Sequence, residues 1–175
     1  MENVFDTTWS VPQVDVMQAL RDWAVAFTEL NQQMAVWLDL PTNDAHALGQ
    51  VLWAASAGEP LSPARLGQLI GMTSGSVTVL VDRLEGAGLI LRSREHTDRR
   101  RVTLRPTAAA EDRARAFAER SSEEIATVLR GTAADDLRQV TTFLHTITGA
   151  ATTAAGRLRE TPAPPRTGAE PARRR

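Results

Sequence analysis

The 175-residue sequence predicts a mainly α-helical domain with one small β-hairpin. Apolar residues recur at intervals of three and four toward both ends of the chain, which is the periodicity of amphipathic helices. Between them lie two short capped helical patterns separated only by Gly71 and Met72. Directly after these the period changes from helical to alternating on either side of a polar loop, as in two short paired strands.

A chain of this length with 42% hydrophobic residues has material for one real core. It contains no apolar run near the roughly 18 residues that cross a membrane. The start, MENVFDTTWS, lacks the cationic and apolar blocks of a secretory signal, so a cytoplasmic protein with no membrane partner is expected. The absence of cysteine excludes disulfides, thiolate zinc sites and thiol redox switches. The net charge of −1 hides an uneven distribution. Residues 1–60 carry one Arg against eight acids, whereas residues 61–105 carry eight Arg against four. All 20 cations are arginines. Without lysine there is no phosphate-cradling loop ending Gly-Lys-Ser/Thr, the lone Gly86-x-Gly88 lacks its third glycine, and no Gly-x-Ser-x-Gly turn occurs, so no enzyme is expected. The histidines His46, His96 and His145 form no ligand motif, and neither a metal nor any other cofactor is expected.

Ser10 and Gln13 have capping-box spacing, and Pro12 fits a first helical turn. The helix they open carries Leu20, Trp23, Phe27, Leu30, Met34 and Trp37 in a heptad-like seam and stops at Pro41. Thr42 or Asn43 caps a second helix through Leu48, Val51, Leu52 and Ala55 to Gly58. Ser62 and Pro63 open a short third helix with Leu66, Leu69 and Ile70 inward, broken by Gly71. Thr73 then caps a fourth, with Gly86 or Gly88 stopping it. Its core side is Val77, Leu80, Val81 and Leu84, and its other side is Gly75, Ser76, Thr78, Val79, Asp82 and Arg83. Two short helices joined by a tight glycine turn are the pattern of a helix-turn-helix. Taken alone, the outward face of the fourth helix fits either a plain solvated surface or one that meets a groove.

Leu89 and Leu91 before Ser93, and Val102 and Leu104 among Arg101, Thr103 and Arg105, mark the two strands. A hairpin in this place is a wing. Arg92, Arg94, Arg99, Arg100 and Arg101 cluster on it against Glu95 and Asp98, the electrostatic footprint of a phosphate-binding surface. Arginine suits a narrow minor groove because its flat guanidinium is weakly hydrated. Asp98 is spaced to pair with a neighbouring Arg and stiffen the tip. Thr107 caps a long helix carrying Ala114, Phe117, Ala118, Ile125, Val128 and Leu129 to Gly131. Thr132 caps the last, in which Leu137, Val140, Leu144, Ile147, Ala151, Ala154 and Leu158 make the most regular seam of the chain. Seams at both chain ends favour pairing with a second copy over packing within one subunit. Residues 159–175, rich in Pro, Ala and Arg, read as a disordered tail.

The run from Leu61 to Ala110 closely resembles the winged helix-turn-helix core of the MarR family of bacterial transcriptional regulators. Matching positions include Leu66, Gly71, Val77, Thr78, Leu80, Val81, Asp82, Arg83, Leu84, Glu85, Gly88, Leu89, Val102 and Thr107, with Asp98 and Arg100 on the family's Asp-x-Arg wing motif. Val79 departs from the polar or basic residue many members carry, Pro106 from the usual Leu and Ala110 from the common Gly. The resemblance implies a winged helix-turn-helix core flanked by dimerisation helices, as one domain over residues 10–158. Residues 43–105 would be the DNA-binding module, and residues 10–40 and 107–158 the dimerisation helices.

It further implies a homodimer on a near-palindromic double-stranded DNA operator, with half-sites roughly 10 bp apart, acting as a repressor. The expected site comprises Ser74, Gly75, Ser76, Thr78, Val79 and Arg83 on the fourth helix and Arg92, Arg94, Asp98, Arg99 and Arg100 on the wing. An outward Val79 either rests on a thymine methyl or is a tolerated surface residue. Family members often sense a small aromatic or anionic ligand, and Trp23, Phe27, Trp37, His46 and Trp53 come from the helices that would border its cleft. The same rings also fit core or interface packing. An effector-independent DNA binder and a winged-helix protein-interaction module are the alternatives.

Overall fold

The computed structural model describes residues 9–93 and 102–161. It divides into two compact units, Met1–Ser121 and Ser122–Arg175. The first contains α1 (Val11–Leu38), α2 (Thr42–Ser56), α3 (Pro63–Ile70), α4 (Ser74–Gly86), β1 (Ile90–Ser93), β2 (Thr103–Pro106) and α5 (Ala108–Ser121). The second contains α6 (Glu123–Gly131) and α7 (Ala134–Glu160).

Helix α1 begins as its capping pair dictates, the Ser10 N–H donating to Gln13 Oε1 at 2.8 Å. It ends on Asp39 in the left-handed region (φ 53°), one of the few residue types that visit it readily. Arg113 of α5 donates from Nη2 to the Leu38 carbonyl, satisfying an acceptor that a helix end leaves open. The second helix starts a residue earlier than its sequence signal: Pro41 occupies the N-cap position and Thr42 is already helical. Pro41 can hold this place because its carbonyl accepts from Asp44 and Ala45, which needs no donor of its own.

The core of the first unit is one cluster that includes Leu38, Leu48, Val51, Leu66, Val77, Leu80, Val81, Leu84, Ile90 and Leu104. Each such side chain, fully withdrawn from water, contributes about 1.5–3 kcal/mol. Helix α3 differs from expectation in what it turns inward. Leu69 is exposed, and Gly67 is buried with Leu66. A Cβ on Gly67 would lie 2.9 Å from Val77 Cγ2 and 3.2 Å from the Met72 carbonyl oxygen, so glycine there is what lets α3 and α4 approach.

The two strands pair antiparallel, Ile90 with Pro106 and Ser93 with Thr103. Leu89 is buried as it leaves α4, and within β1 the buried residue is Ile90, whereas Leu91 is exposed. Leaving α4 through Gly88 (φ 69°) sets the pleat so that Ile90 meets the core. On β2, Leu104 is buried as expected, and its N–H donates to the Leu61 carbonyl at 2.7 Å, tying the sheet edge to the start of α3. Thr107 caps α5, accepting from the Ala110 N–H at 3.2 Å while donating to the Gly88 carbonyl at 2.8 Å.

The single long helix expected from Thr107 to Gly131 is two helices, interrupted at Ser122. Paired serines compete for backbone partners: Ser121 Oγ donates to the Phe117 carbonyl at 2.9 Å. Glu123 and Glu124 then favour a new N-terminus through the helix dipole. Thr132 does not cap the last helix. Its hydroxyl donates back to the Val128 carbonyl at 2.8 Å, and Ala133 holds the N-cap position of α7. Helix α7 runs to Glu160, so Arg159 and Glu160 are helical rather than tail, and residues 162–175 lie outside the described residues. No helix of the described residues is long and apolar enough to cross a membrane.

Candidate nucleic-acid interface

Helix α4 separates its two faces as its spacing requires. Val77, Leu80, Val81 and Leu84 are buried, and Ser74, Gly75, Ser76, Thr78, Val79, Asp82 and Arg83 are exposed. Gly71 (φ 68°) turns the chain after α3, and Thr73 Oγ1 accepts from the Ser76 N–H at 3.4 Å to start α4. The hydroxyls of the outward face are engaged locally. Thr78 Oγ1 donates to the Ser74 carbonyl at 3.0 Å, and the Thr73 and Ser76 hydroxyls share a bond of 3.0 Å.

Arg83 makes the longest-range polar contact of the face. Its Nε and Nη2 donate to Asp44 Oδ2 and Oδ1 at 2.9 and 2.6 Å, a fork-to-carboxylate pair. Asp44 sits in the first turn of α2 and is 2% exposed, whereas the Arg83 side chain is 52% exposed. The pair therefore ties α4 to α2 at the edge of the core. The hydrogen bond to Asp44, with its charge, raises the Arg83 pKa above the ordinary arginine value. Arg92 on β1 is held likewise, Nη2 donating to Asp82 and Nη1 to Glu85, both on α4. The hydrogen bond to Asp82 is the largest cause of the raised Arg92 pKa; burial opposes it, and the charge of Glu85 adds to it. Arg92 thus fastens the first strand of the hairpin to α4, and its charge faces two carboxylates.

Sequence reasoning missed Asp44 and the role of Asp82 and Glu85. The Asp82 and Glu85 spacing of three residues on one helix, with Arg92 on the following strand, was a local signal. Asp44 stands 39 residues from Arg83, a separation at which no sequence pattern points to the pair. The wing residues Arg94, Asp98, Arg99 and Arg100 lie outside the described residues.

The aromatic candidates fall into separate groups. Trp23 and Phe27 stack on α1, 5.6 Å between centroids and 22° between planes, both about half exposed. Trp37 packs against Phe117 at 6.3 Å, and the Arg120 guanidinium lies 5.4 Å from its ring, a cation–π contact. Trp53 projects from α2 and is 78% exposed. His46 Nε2 lies 3.3 Å from Gln50 Nε2. Among the described residues no group of three or more His, Cys, Asp or Glu is placed to hold a metal ion.

Residues 48–102, from the middle of α2 to the start of β2, match the family model described as MarR family. That stretch is similar to the MarR family. Over 85 residues it is 34% identical to YcgE, an uncharacterized HTH-type transcriptional regulator of Bacillus subtilis (strain 168). That alignment covers 49% of this chain and 55% of YcgE, so the chain spans about half the length of the curated relative it matches. Among solved structures, Staphylococcus aureus MepR in its DNA-binding conformation superposes with a TM-score of 0.61 at 18% identity, over 78% of this chain and 98% of that one. The S. aureus MepR–DNA complex gives 0.55 at 19% identity, over 76% and 94%. At these identities the likeness is one of fold, a winged helix-turn-helix in which α3 and α4 are the helix pair and β1 and β2 the base of the wing.

Proposed function

We propose that this chain is a sequence-specific double-stranded DNA-binding transcriptional regulator, a repressor that binds a near-palindromic operator as a homodimer. The observation that carries the reading is the outward face of α4, exposed from Ser74 to Arg83 on a helix whose other side is wholly buried, within the stretch that matches the MarR family model. Of the chain's relatives in fold, MepR has been solved on DNA, which supports the same use here. In this reading α4 enters the major groove and presents Ser74, Gly75, Ser76, Thr78 and Val79, with Arg83 at its far end beside the phosphates. Arg94, Arg99 and Arg100 reach the minor groove from the wing, aided by Asp98. Arg92 seats the wing on α4.

The dimer reading is supported by apolar seams left uncovered within each unit: Trp23 and Phe27 on α1, and Val140, Leu144 and Leu158 on α7. The effector reading, release by a small aromatic or anionic ligand, rests on the half-exposed Trp23–Phe27 stack. Titration with phenolic acids should quench Trp fluorescence and release DNA together; quenching without release would refute the effector role.

Selection from random duplexes, followed by footprinting of the enriched sequence at fixed salt, tests the central claim. An enriched near-palindrome protected over two half-sites roughly 10 bp apart is expected. Arg100→Ala should weaken binding, lowering the salt slope by about 1 for a phosphate contact or relaxing specificity at one position for a base contact. Failure to enrich any duplex at low salt would refute DNA recognition and favour a protein-interaction module.

A further inference from the structure

Sequence readers on DNA most often place an arginine fork on guanine, two donors against O6 and N7. Helix α4 has one arginine, near the C-terminal end of the outward face, and its Nε and Nη2 both donate to the buried carboxylate of Asp44. An unpaired buried carboxylate is strongly unfavourable, so the Nε side of Arg83 stays on Asp44 and only its Nη1 side remains for DNA. The acids of the same helix, Asp82 and Glu85, are paired with Arg92. The Thr78 proton goes to the Ser74 carbonyl, and the Thr73 and Ser76 hydroxyls engage each other. The middle of this outward face is Val79, 56% exposed and apolar among polar neighbours. One turn before it, Gly75 leaves open space, with nothing within 4 Å of where a Cβ would stand.

We infer that Val79 is a specificity-determining residue that reads the 5-methyl group of thymine. This inference rests on the DNA-binding reading above. A valine has no polar atom to satisfy, so seating its methyls on a thymine methyl withdraws both from water. Cytosine, which lacks the methyl, gains nothing at that position. Gly75 lets the start of the helix descend far enough for a side chain as short as valine to reach the groove floor. Arg83 and Arg92 then serve as struts that tie α4 to α2 and the wing to α4.

The test uses the full chain and the duplex enriched by selection. Each thymine is replaced in turn by deoxyuridine, which removes only the methyl. For the wild-type chain one position per half-site should lose about four-fold in affinity, and symmetrical replacement in both half-sites about 15-fold, the value of one buried methyl and of two. In Val79→Ala the thymine duplex should bind more weakly, and deoxyuridine at that position should cost nothing further. Val79 is exposed and outside the core cluster, so the variant keeps its fold, which near-wild-type affinity for non-specific DNA would verify. Equal deoxyuridine losses in both proteins, or no thymine position that matters, would overturn the inference while DNA binding stands. A chain that enriches no duplex at all would remove the DNA reading and this inference with it.

Discussion

Replacing Gly67 by alanine adds one methyl at the closest approach of the helix-turn-helix pair. Two effects of opposite sign compete. Within a helix, alanine is favoured over glycine by about 0.8–1.0 kcal/mol. Against this, the new Cβ would stand 2.9 Å from Val77 Cγ2 and 3.2 Å from the Met72 carbonyl oxygen, where carbon atoms ordinarily rest about 3.5–4.0 Å apart. Relief requires a shift of several tenths of an ångström, and neither neighbour yields easily. Val77 is β-branched and buried, hence held in one rotamer. The Met72 N–H is bonded to the Gly67 carbonyl itself, at 3.0 Å, which anchors the turn. Overpacking of a tight core costs about 1–3 kcal/mol, so after the propensity gain the net destabilisation is about 0–2 kcal/mol. Gly75→Ala is the control, since nothing lies within 4 Å of its added Cβ and the propensity gain, about 0.5–1 kcal/mol, should appear undiminished. Urea unfolding at fixed protein concentration would measure both as shifts of midpoint at constant slope. The same replacement in a Val77→Ala background should cost less, since the clashing Cγ2 is gone. If Gly67→Ala gains as much stability as Gly75→Ala, the close approach of α3 and α4 does not limit packing, and the reasoning fails.

Arg83→Gln should lower the melting temperature by leaving the buried Asp44 carboxylate without its fork, and adding Asp44→Asn should restore part of the loss; strictly additive effects in the double-mutant cycle would mean the pair contributes nothing. Because both arginine pKa values are raised, the cationic contribution of Arg83 is complete at lower pH and lost only as pH rises through its raised value. The coupling should therefore stay constant between roughly pH 6 and pH 9, and a decline across that window would contradict the geometry. Thr107→Val keeps shape but loses the α5 cap and the bond to the Gly88 carbonyl, and should cost about 1–2 kcal/mol in urea unfolding, against no change if either bond is unimportant. Trp53→Phe, at a 78% exposed ring, should leave stability within about 0.5 kcal/mol while removing a red-edge component of the Trp emission.

Legibility followed the range of the interaction. The core face of α4, the caps at Ser62, Thr73 and Thr107 and the turn at Gly71 were all readable, because each depends on residues within a turn or so of one another. Leu69 was misread, since only the placement of α4 decides that Gly67 rather than Leu69 meets it. Strand phase was misread for a related reason: alternation gives two possible faces, and the turn at Gly88 selects the one that buries Ile90. The break at Ser122 was passed over because helical periodicity continues across it, and only local backbone competition interrupts the helix.

The sequence by itself determined the helix-turn-helix, the hairpin that follows it and the resemblance of that module to the MarR family, because periodicity, capping and turn chemistry are local properties of the chain. Tertiary structure alone decided what the charged side chains of the module do. Folding brings Asp44 to Arg83 across 39 residues, and it lays β1 against α4 so that Arg92 meets Asp82 and Glu85. The physical reason is that a buried carboxylate must be paired, and which cation pairs it depends on how distant segments pack, not on what stands beside it in the chain.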